Sequence, residues 1–212
     1  MKLVSLNVGQ PRIVETPRGQ ILTSIFKDPV EGPRNVVQHN VEGDRQADLT
    51  VHGGPNKAVY AYAFEHYAYW SGALPDHELP CGVFGENLTV EGLLESEIHI
   101  GDAVEIGSAR LRVTQPRMPC AKLSIRFNRP DMVKLFWKSA RSGVYFAVEQ
   151  PGVICAGDDV RIVERDPRNV SVADVISLYT GETAQPELFK RFMAAPIGGK
   201  WKEGIRERWA NN

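Results

Sequence analysis

The sequence predicts a mainly β protein with some helices: a closed or near-closed β-barrel core over residues 1–165 and a three-helix domain over residues 168–210. Two observations lead to this prediction. The first 165 residues consist of short segments rich in β-branched residues that Gly and Pro interrupt. Beyond residue 169, apolar residues instead recur at the three- and four-residue spacing of helices.

The composition is that of an ordinary globular protein. The 212 residues are 42% hydrophobic and 24% charged, enough for one sizeable core. A net charge of −1 gives no basis for sequence-independent binding to nucleic acid. No apolar run approaches the roughly 20 residues of a membrane span. The amino terminus lacks a signal-peptide pattern, and three widely spaced cysteines without a CxxC pair are typical of the reducing cytoplasm.

Strands are predicted at residues 2–9, 20–27 and 34–43, which alternate or carry β-branched residues between turn signals. The apolar run at 56–70 is longer than a typical strand and follows a Gly-Gly-Pro turn, so a helix is predicted there. A second helix is predicted between Pro130 and Gly143.

A repeated hexapeptide supports the barrel. "GDAVEI" at 101–106 and "GDDVRI" at 157–162 share a Gly-Asp turn that starts an alternating strand. We interpret the two copies as similar corners of one barrel, because closure would remove the edges that many short strands otherwise expose.

Three short helices are predicted after residue 168. Ser171 and Asp174 have the spacing of a capping box, and Pro186 suits a first helical position. Trp201 and Trp209 share a face of the last helix. We expect both to pack on the barrel; the alternative is a docking surface for an electron donor or for a second copy of the chain.

Cys120 is the first candidate for chemistry. It follows a strand, lies beside Pro119 at the start of a segment expected to be extended, and has Arg117 and Lys122 nearby, which favour a thiolate. A thiolate is a nucleophile or a soft metal ligand, whereas most lone cysteines are inert core residues. Cys81 and Cys155 are interpreted as structural.

Two further clusters are candidates for binding. The first is a polar, glycine-rich stretch in which glycines let backbone approach a ligand and cations could hold a phosphate. Its members are Asp44, Arg45, Gln46, Asp48, His52, Gly53, Gly54 and Lys57. The second is the turn of Phe84, Gly85, Glu86 and Asn87, whose Asn87 amide could bind the edge of a heterocycle. A simple polar turn and a simple hairpin turn are the respective alternatives.

Taken together and in this order, the three clusters resemble the MOSC domain, a family named after the C-terminal part of molybdenum cofactor sulfurases. The stretches concerned are "GDRQADLTVHGGPNKAVY", "FGENLTVEGL" with "IGDAVEIG", and "VTQPRMPCAKL". The likeness is strongest to the stand-alone YiiM-like branch, which also carries three C-terminal helices. It implies a β-barrel and a pyranopterin molybdenum cofactor, with Cys120 as a protein ligand to molybdenum and as the catalytic residue.

The resemblance further implies that a set of residues lines the cofactor pocket. These are Asp44, Arg45, Gln46, His52, Gly53, Gly54, Lys57, Phe84, Gly85, Asn87 and Arg117. The implied activity is reduction of small N-hydroxylated compounds, such as 6-hydroxylaminopurine and other hydroxylamino base analogues, to amines. Electrons would come from a flavoprotein or iron–sulfur partner, and a homodimer is compatible with the family. The alternative is a non-catalytic carrier of the cofactor, or of persulfide sulfur on Cys120.

Overall fold

The computed structural model describes residues 1–17, 19–48, 53–182 and 185–210. Its strands are β1 (Lys2–Val8), β2 (Arg12–Thr16), β3 (Gly19–Thr23), β4 (Asp28–Pro29), β5 (Arg34–Val37), β6 (Asn40–Val41), β7 (Val59–Ala63), β8 (Leu88–Glu91), β9 (Ala103–Ile106), β10 (Ala109–Pro116), β11 (Val144–Gln150), β12 (Gly152–Ile154) and β13 (Val160–Glu164). Its α-helices are α1 (His66–Ala73), α2 (Ala121–Arg126), α3 (Met132–Ser139), α4 (Val172–Thr180), α5 (Pro186–Ala194) and α6 (Gly199–Ala210), and a 3₁₀ turn spans Pro55–Lys57. Within these ranges, every helix is too short or too polar to cross a membrane.

The main sheet has eight strands in the order β13-β9-β10-β11-β7-β8-β1-β4. Its neighbours pair antiparallel, except that β7 and β8 are parallel. Strand β4 covers only the Asn7–Val8 end of β1. At the other end, Leu3 N donates to Asp158 O at 2.9 Å, Gly157 N donates to Leu3 O at 2.7 Å, and Lys2 forms an isolated bridge with Asp159 before β13. No sheet in the described ranges closes into a continuous barrel, so the closed-barrel prediction is not confirmed.

The repeated hexapeptide folds in the same way twice. Gly101 and Gly157 have φ angles of 94° and 95°, a region that favours glycine. The Asp102 carboxylate accepts the amide N–H of the residue three positions earlier at 3.0 Å, and Asp158 does the same at 2.8 Å. The strands that follow, β9 and β13, pair directly with each other.

The predicted helix over residues 56–70 is wrong in its first half. Val59–Ala63 is strand β7, whose five residues are all buried between β11 and β8. A strand buried on both faces carries no polar alternation, so its sequence looks like part of a longer apolar helix. The helix begins only at His66.

Two other predictions of secondary structure need smaller corrections. The segment after Cys120 is not extended: it forms the short helix α2. Helix α3 is where it was predicted, but it ends at Ser139 with Ala140 in the left-handed conformation. Gly143 is therefore the residue before β11 rather than the stop of α3.

The C-terminal helices pack on the sheet. The capping box of Ser171 and Asp174 and the first-turn Pro186 are confirmed. Trp201 is only 3% exposed and belongs to the same apolar cluster as the strands, while Trp209 stacks on Phe189 at 4.4 Å between ring centroids. Trp201 therefore packs with the strands as expected, whereas Trp209 is partly buried and packs on α5.

Candidate functional site

A cavity lies where the end of β3, the segment before residue 49, the 3₁₀ turn, the start of β7 and the start of α2 meet. Seven residues predicted for the site line it: Asp44, Gln46, Gly53, Lys57, Gly85, Asn87 and Cys120. Segments far apart in sequence supply these residues, so the cavity exists only in the folded chain.

Cys120 is half-buried in the cavity wall. It follows β10 and a proline-containing turn, and it occupies the position that precedes the first residue of α2 with extended backbone angles. Lys57 and Lys122 line the same cavity. The thiol is thus reachable from the cavity and lies among cations.

Arg117 supports the site from behind. It is 5% exposed and does not line the cavity. Its guanidinium donates a hydrogen bond to the Phe84 carbonyl and lies 4.9 Å from the centroid of the Tyr60 ring. Arg117 therefore ties the turn that carries Cys120 to the Phe84–Asn87 turn and to β7.

Asp44 forms a buried ion pair with Lys27, and Gly9 N donates to the same carboxylate oxygen, Oδ1, at 2.8 Å. Burial lowers the pKa of Lys27, and the charge of Asp44 opposes that shift. The second oxygen, Asp44 Oδ2, is buried without a hydrogen-bond partner among the described residues, as is Ser24 Oγ. Both residues line the cavity, so two polar atoms remain for a ligand.

The Asn87 amide connects separate segments of the fold. Its Oδ1 accepts from Tyr60 N at 3.2 Å and its Nδ2 donates to Asn7 O at 3.3 Å, while Asn87 also lines the cavity, so binding of a heterocycle edge by Asn87 stays a prediction. Phe84 is fully buried among aromatic rings and does not line the cavity, whereas Gly85 does.

The remaining predicted residues either do not line the cavity or are not described. The Arg45 side chain is exposed, and neither it nor Gly54 lines the cavity. His52 lies outside the described residues. The part of the chain that is described holds no group of three His, Cys, Asp or Glu side chains suited to a metal ion.

Sequence reasoning missed several cavity residues: Thr23, Ser24, Ile25, Lys27, Ala47, Tyr60 and Tyr145. Tyr60 and Tyr145 lie in apolar strands, which are typical of a core, and nothing local marks them. The lysine in "SIFKDP" was the one available signal, because a charge inside a strand-like apolar run needs a buried partner.

The lining carries more positive than negative charge. Among the described residues, Lys27, Lys57 and Lys122 line the cavity with one carboxylate, that of Asp44, although the whole chain has a net charge of −1. Burial and the nearby Lys200 of α6 lower the pKa of Lys57. A ligand with an anionic group suits this arrangement.

Comparison with known proteins identifies the family. The MOSC domain matches residues 48–161. Among relatives, the uncharacterized protein YflK of Bacillus subtilis is 39% identical over 170 residues, which cover 80% of this chain and 76% of YflK. Protein YiiM of Escherichia coli is 32% identical over 206 residues, covering 96% of this chain and 91% of YiiM.

A third relative, a protein named reductase from Gibberella moniliformis, is 30% identical over 193 residues, covering 90% of this chain but only 34% of that protein. The crystal structure of YiiM from Geobacillus stearothermophilus superposes with a TM-score of 0.80 at 33% identity, covering 98% of each chain. A family match over more than half of the chain, together with similarity to YiiM along nearly all of it, shows that this protein is a YiiM-like member of the MOSC domain family.

Proposed function

We propose that the protein is a molybdenum-cofactor-dependent reductase that converts small N-hydroxylated compounds, such as hydroxylamino base analogues, to amines. The observation that carries the proposal is Cys120, a thiol in the wall of a cavity lined by cations. MOSC domains are associated with molybdenum cofactor binding in general, and one relative is named a reductase.

The residues present fit such a cofactor. A thiolate is a soft donor that suits molybdenum, and Cys120 would supply it. Lys57 and Lys122 would hold an anionic group of the cofactor. Asp44 Oδ2 and Ser24 Oγ, both buried and without described partners, would bind its polar edges.

The cofactor would supply the two electrons that cleave the N–O bond of the substrate, while the protein binds and orients both. Arg117 keeps the Cys120 turn against the Phe84–Asn87 turn, which would fix the position of the thiol relative to the cavity wall. The sequence contains neither a CxxC pair nor a GxGxxG fingerprint. A flavoprotein or an iron–sulfur protein would therefore deliver the electrons.

Metal analysis tests the cofactor part of the proposal. Protein with Cys120→Ser, Cys81→Ser or Cys155→Ser would be purified from a host that makes the cofactor, and molybdenum per chain would be measured. We expect only Cys120→Ser to lose molybdenum. Loss in either of the other two variants, with retention in Cys120→Ser, would show that the ligand is misassigned.

Turnover tests the activity. The wild-type protein, loaded with cofactor and supplied with reduced methyl viologen, should convert 6-hydroxylaminopurine to adenine. Molybdenum that is bound without any turnover would favour a cofactor carrier instead.

A further inference from the structure

Tyr145 lines the same cavity as Cys120. It belongs to β11, directly across from Tyr60 on β7 and Gln115 on β10. Its ring centroid is 5.0 Å from that of Tyr60, and both rings line the cavity. A molecule bound beside Cys120 would thus meet Tyr145.

The two tyrosine hydroxyls differ in what they bind. The Tyr60 hydroxyl donates to the Ser142 carbonyl at 2.8 Å, so its proton is engaged within the fold. Among the described residues, no side chain or backbone group hydrogen-bonds to the Tyr145 hydroxyl. Because Tyr145 lines the cavity, its hydroxyl is available to a bound molecule.

The lysines of the cavity have other roles. Lys27 is committed to its buried pair with Asp44, and Lys57 and Lys122 are assigned above to an anionic group of the cofactor. A phenol has an ordinary pKa near 10, so it bears a proton at neutral pH, as a proton donor must.

We propose that Tyr145 is a catalytic residue that donates a proton to the oxygen of the substrate N–OH group as the N–O bond breaks; this inference rests on the proposed function. The balance is one N-hydroxylated molecule, two electrons and two protons, giving one amine and one water. The electrons originate from the flavoprotein or iron–sulfur donor. Tyr145 gives one proton to the departing oxygen, and the solvent gives the other and then restores the phenol.

The test compares Tyr145→Phe with wild type. The control is Tyr69→Phe, which removes a phenol hydroxyl from a residue that is 42% exposed. All are assayed as cofactor-loaded protein with reduced methyl viologen and 6-hydroxylaminopurine. General acids contribute roughly 10²–10⁴-fold, so we expect kcat of Tyr145→Phe to fall by about 100-fold or more with KM changed only a few-fold. The solvent deuterium isotope effect on kcat should rise because proton transfer becomes rate-limiting. Tyr69→Phe should match wild type.

Two measurements separate this role from others. Molybdenum per chain should be the same in Tyr145→Phe and wild type; a loss would overturn the proposal by making Tyr145 a cofactor-binding residue. Substrate affinity of the oxidised protein, measured by calorimetry, should weaken only a few-fold. An unchanged kcat in Tyr145→Phe would also overturn it. Inactive wild-type protein that contains molybdenum would instead refute the proposed function, and the role of Tyr145 would fall with it.

Discussion

Glu86 is a fully buried carboxyl group in the turn behind the cavity. Its Oε1 accepts hydrogen bonds from the Tyr67 hydroxyl, from Gly82 N at 2.9 Å and from Thr89 Oγ1 at 3.0 Å. Its Oε2 has no partner within the described ranges. Burial raises the pKa of Glu86, and the hydrogen bonds only partly oppose that shift.

The raised pKa predicts a pH-dependent stability. In the unfolded chain Glu86 loses its proton near the ordinary glutamate pKa of 4.5, whereas the folded protein holds the proton to higher pH. Over that interval the folded state binds more protons than the unfolded state, so the free energy of unfolding falls as pH rises. The contribution is fully present below pH 4.5 and is lost as pH passes the folded pKa.

Glu86→Gln removes this ionisation and should therefore flatten the dependence. When pH rises from about 5 to about 8, the free energy of unfolding should fall less in the variant than in wild type, as measured by urea unfolding at both pH values. The Gly82 and Thr89 hydrogen bonds can be retained by the amide oxygen. A stability difference that is the same at both pH values would contradict the assignment.

At the scale of single elements, α4 illustrates how a short helix is held in place. Ser171 Oγ accepts from Asp174 N at 3.0 Å, and the Asp174 carboxylate accepts from Ser171 N at 2.9 Å. Gly181 then ends the helix in the left-handed conformation, with φ of 78°. A helix of nine residues is not stable alone in water, so the capping interactions at both ends contribute to its stability.

Ser171→Ala should lower the free energy of unfolding by about 1 kcal/mol, because it leaves the Asp174 amide without its cap. The measurement is the urea midpoint at neutral pH. Ser177→Ala is a matched control, since Ser177 lies in the same helix and its hydroxyl bonds only a nearby helix carbonyl, that of Asp174, at 3.1 Å. Equal losses in the two variants would mean that the cap itself contributes nothing.

At the scale of the whole molecule, the sheet and the C-terminal helices share one apolar cluster. Val172 and Ile176 of α4, Phe192 of α5, and Trp201 and Ile205 of α6 belong to the same cluster as strands β1, β9, β10 and β11. The sequence predicts a separate domain at 168–210, and that boundary remains a prediction. The shared cluster suggests that the two parts stabilise each other.

Truncation after Asp166 should therefore destabilise the remainder severely. Fully burying one large apolar side chain contributes about 1.5–3 kcal/mol. Several such residues lost together approach the whole stability of a typical domain, about 5–15 kcal/mol. We expect the truncated chain to aggregate or to lose its cooperative thermal transition, followed by circular dichroism. A soluble, cooperatively folding truncation that retains molybdenum would instead establish two independent domains.

Local chemistry was sufficient for much of the fold and for part of the site. The caps of α4, the Pro186 start of α5 and the two Gly-Asp turns depend on contacts within a few residues, so the sequence alone predicts them. The cations and prolines around Cys120 likewise act through neighbours in the chain. These features mark Cys120 as a candidate without any knowledge of the tertiary structure.

Tertiary structure alone decided the rest, because burial is a property of the surroundings of a residue and not of its neighbours in sequence. The apolar run at Val59–Ala63 became a strand only because β11 and β8 cover it on both sides. The Asn87 amide hydrogen-bonds to Tyr60 and Asn7, which the sequence places 27 and 80 residues away. Tyr145 reached the cavity through strand register, which sets the face that a side chain takes and which no local pattern specifies.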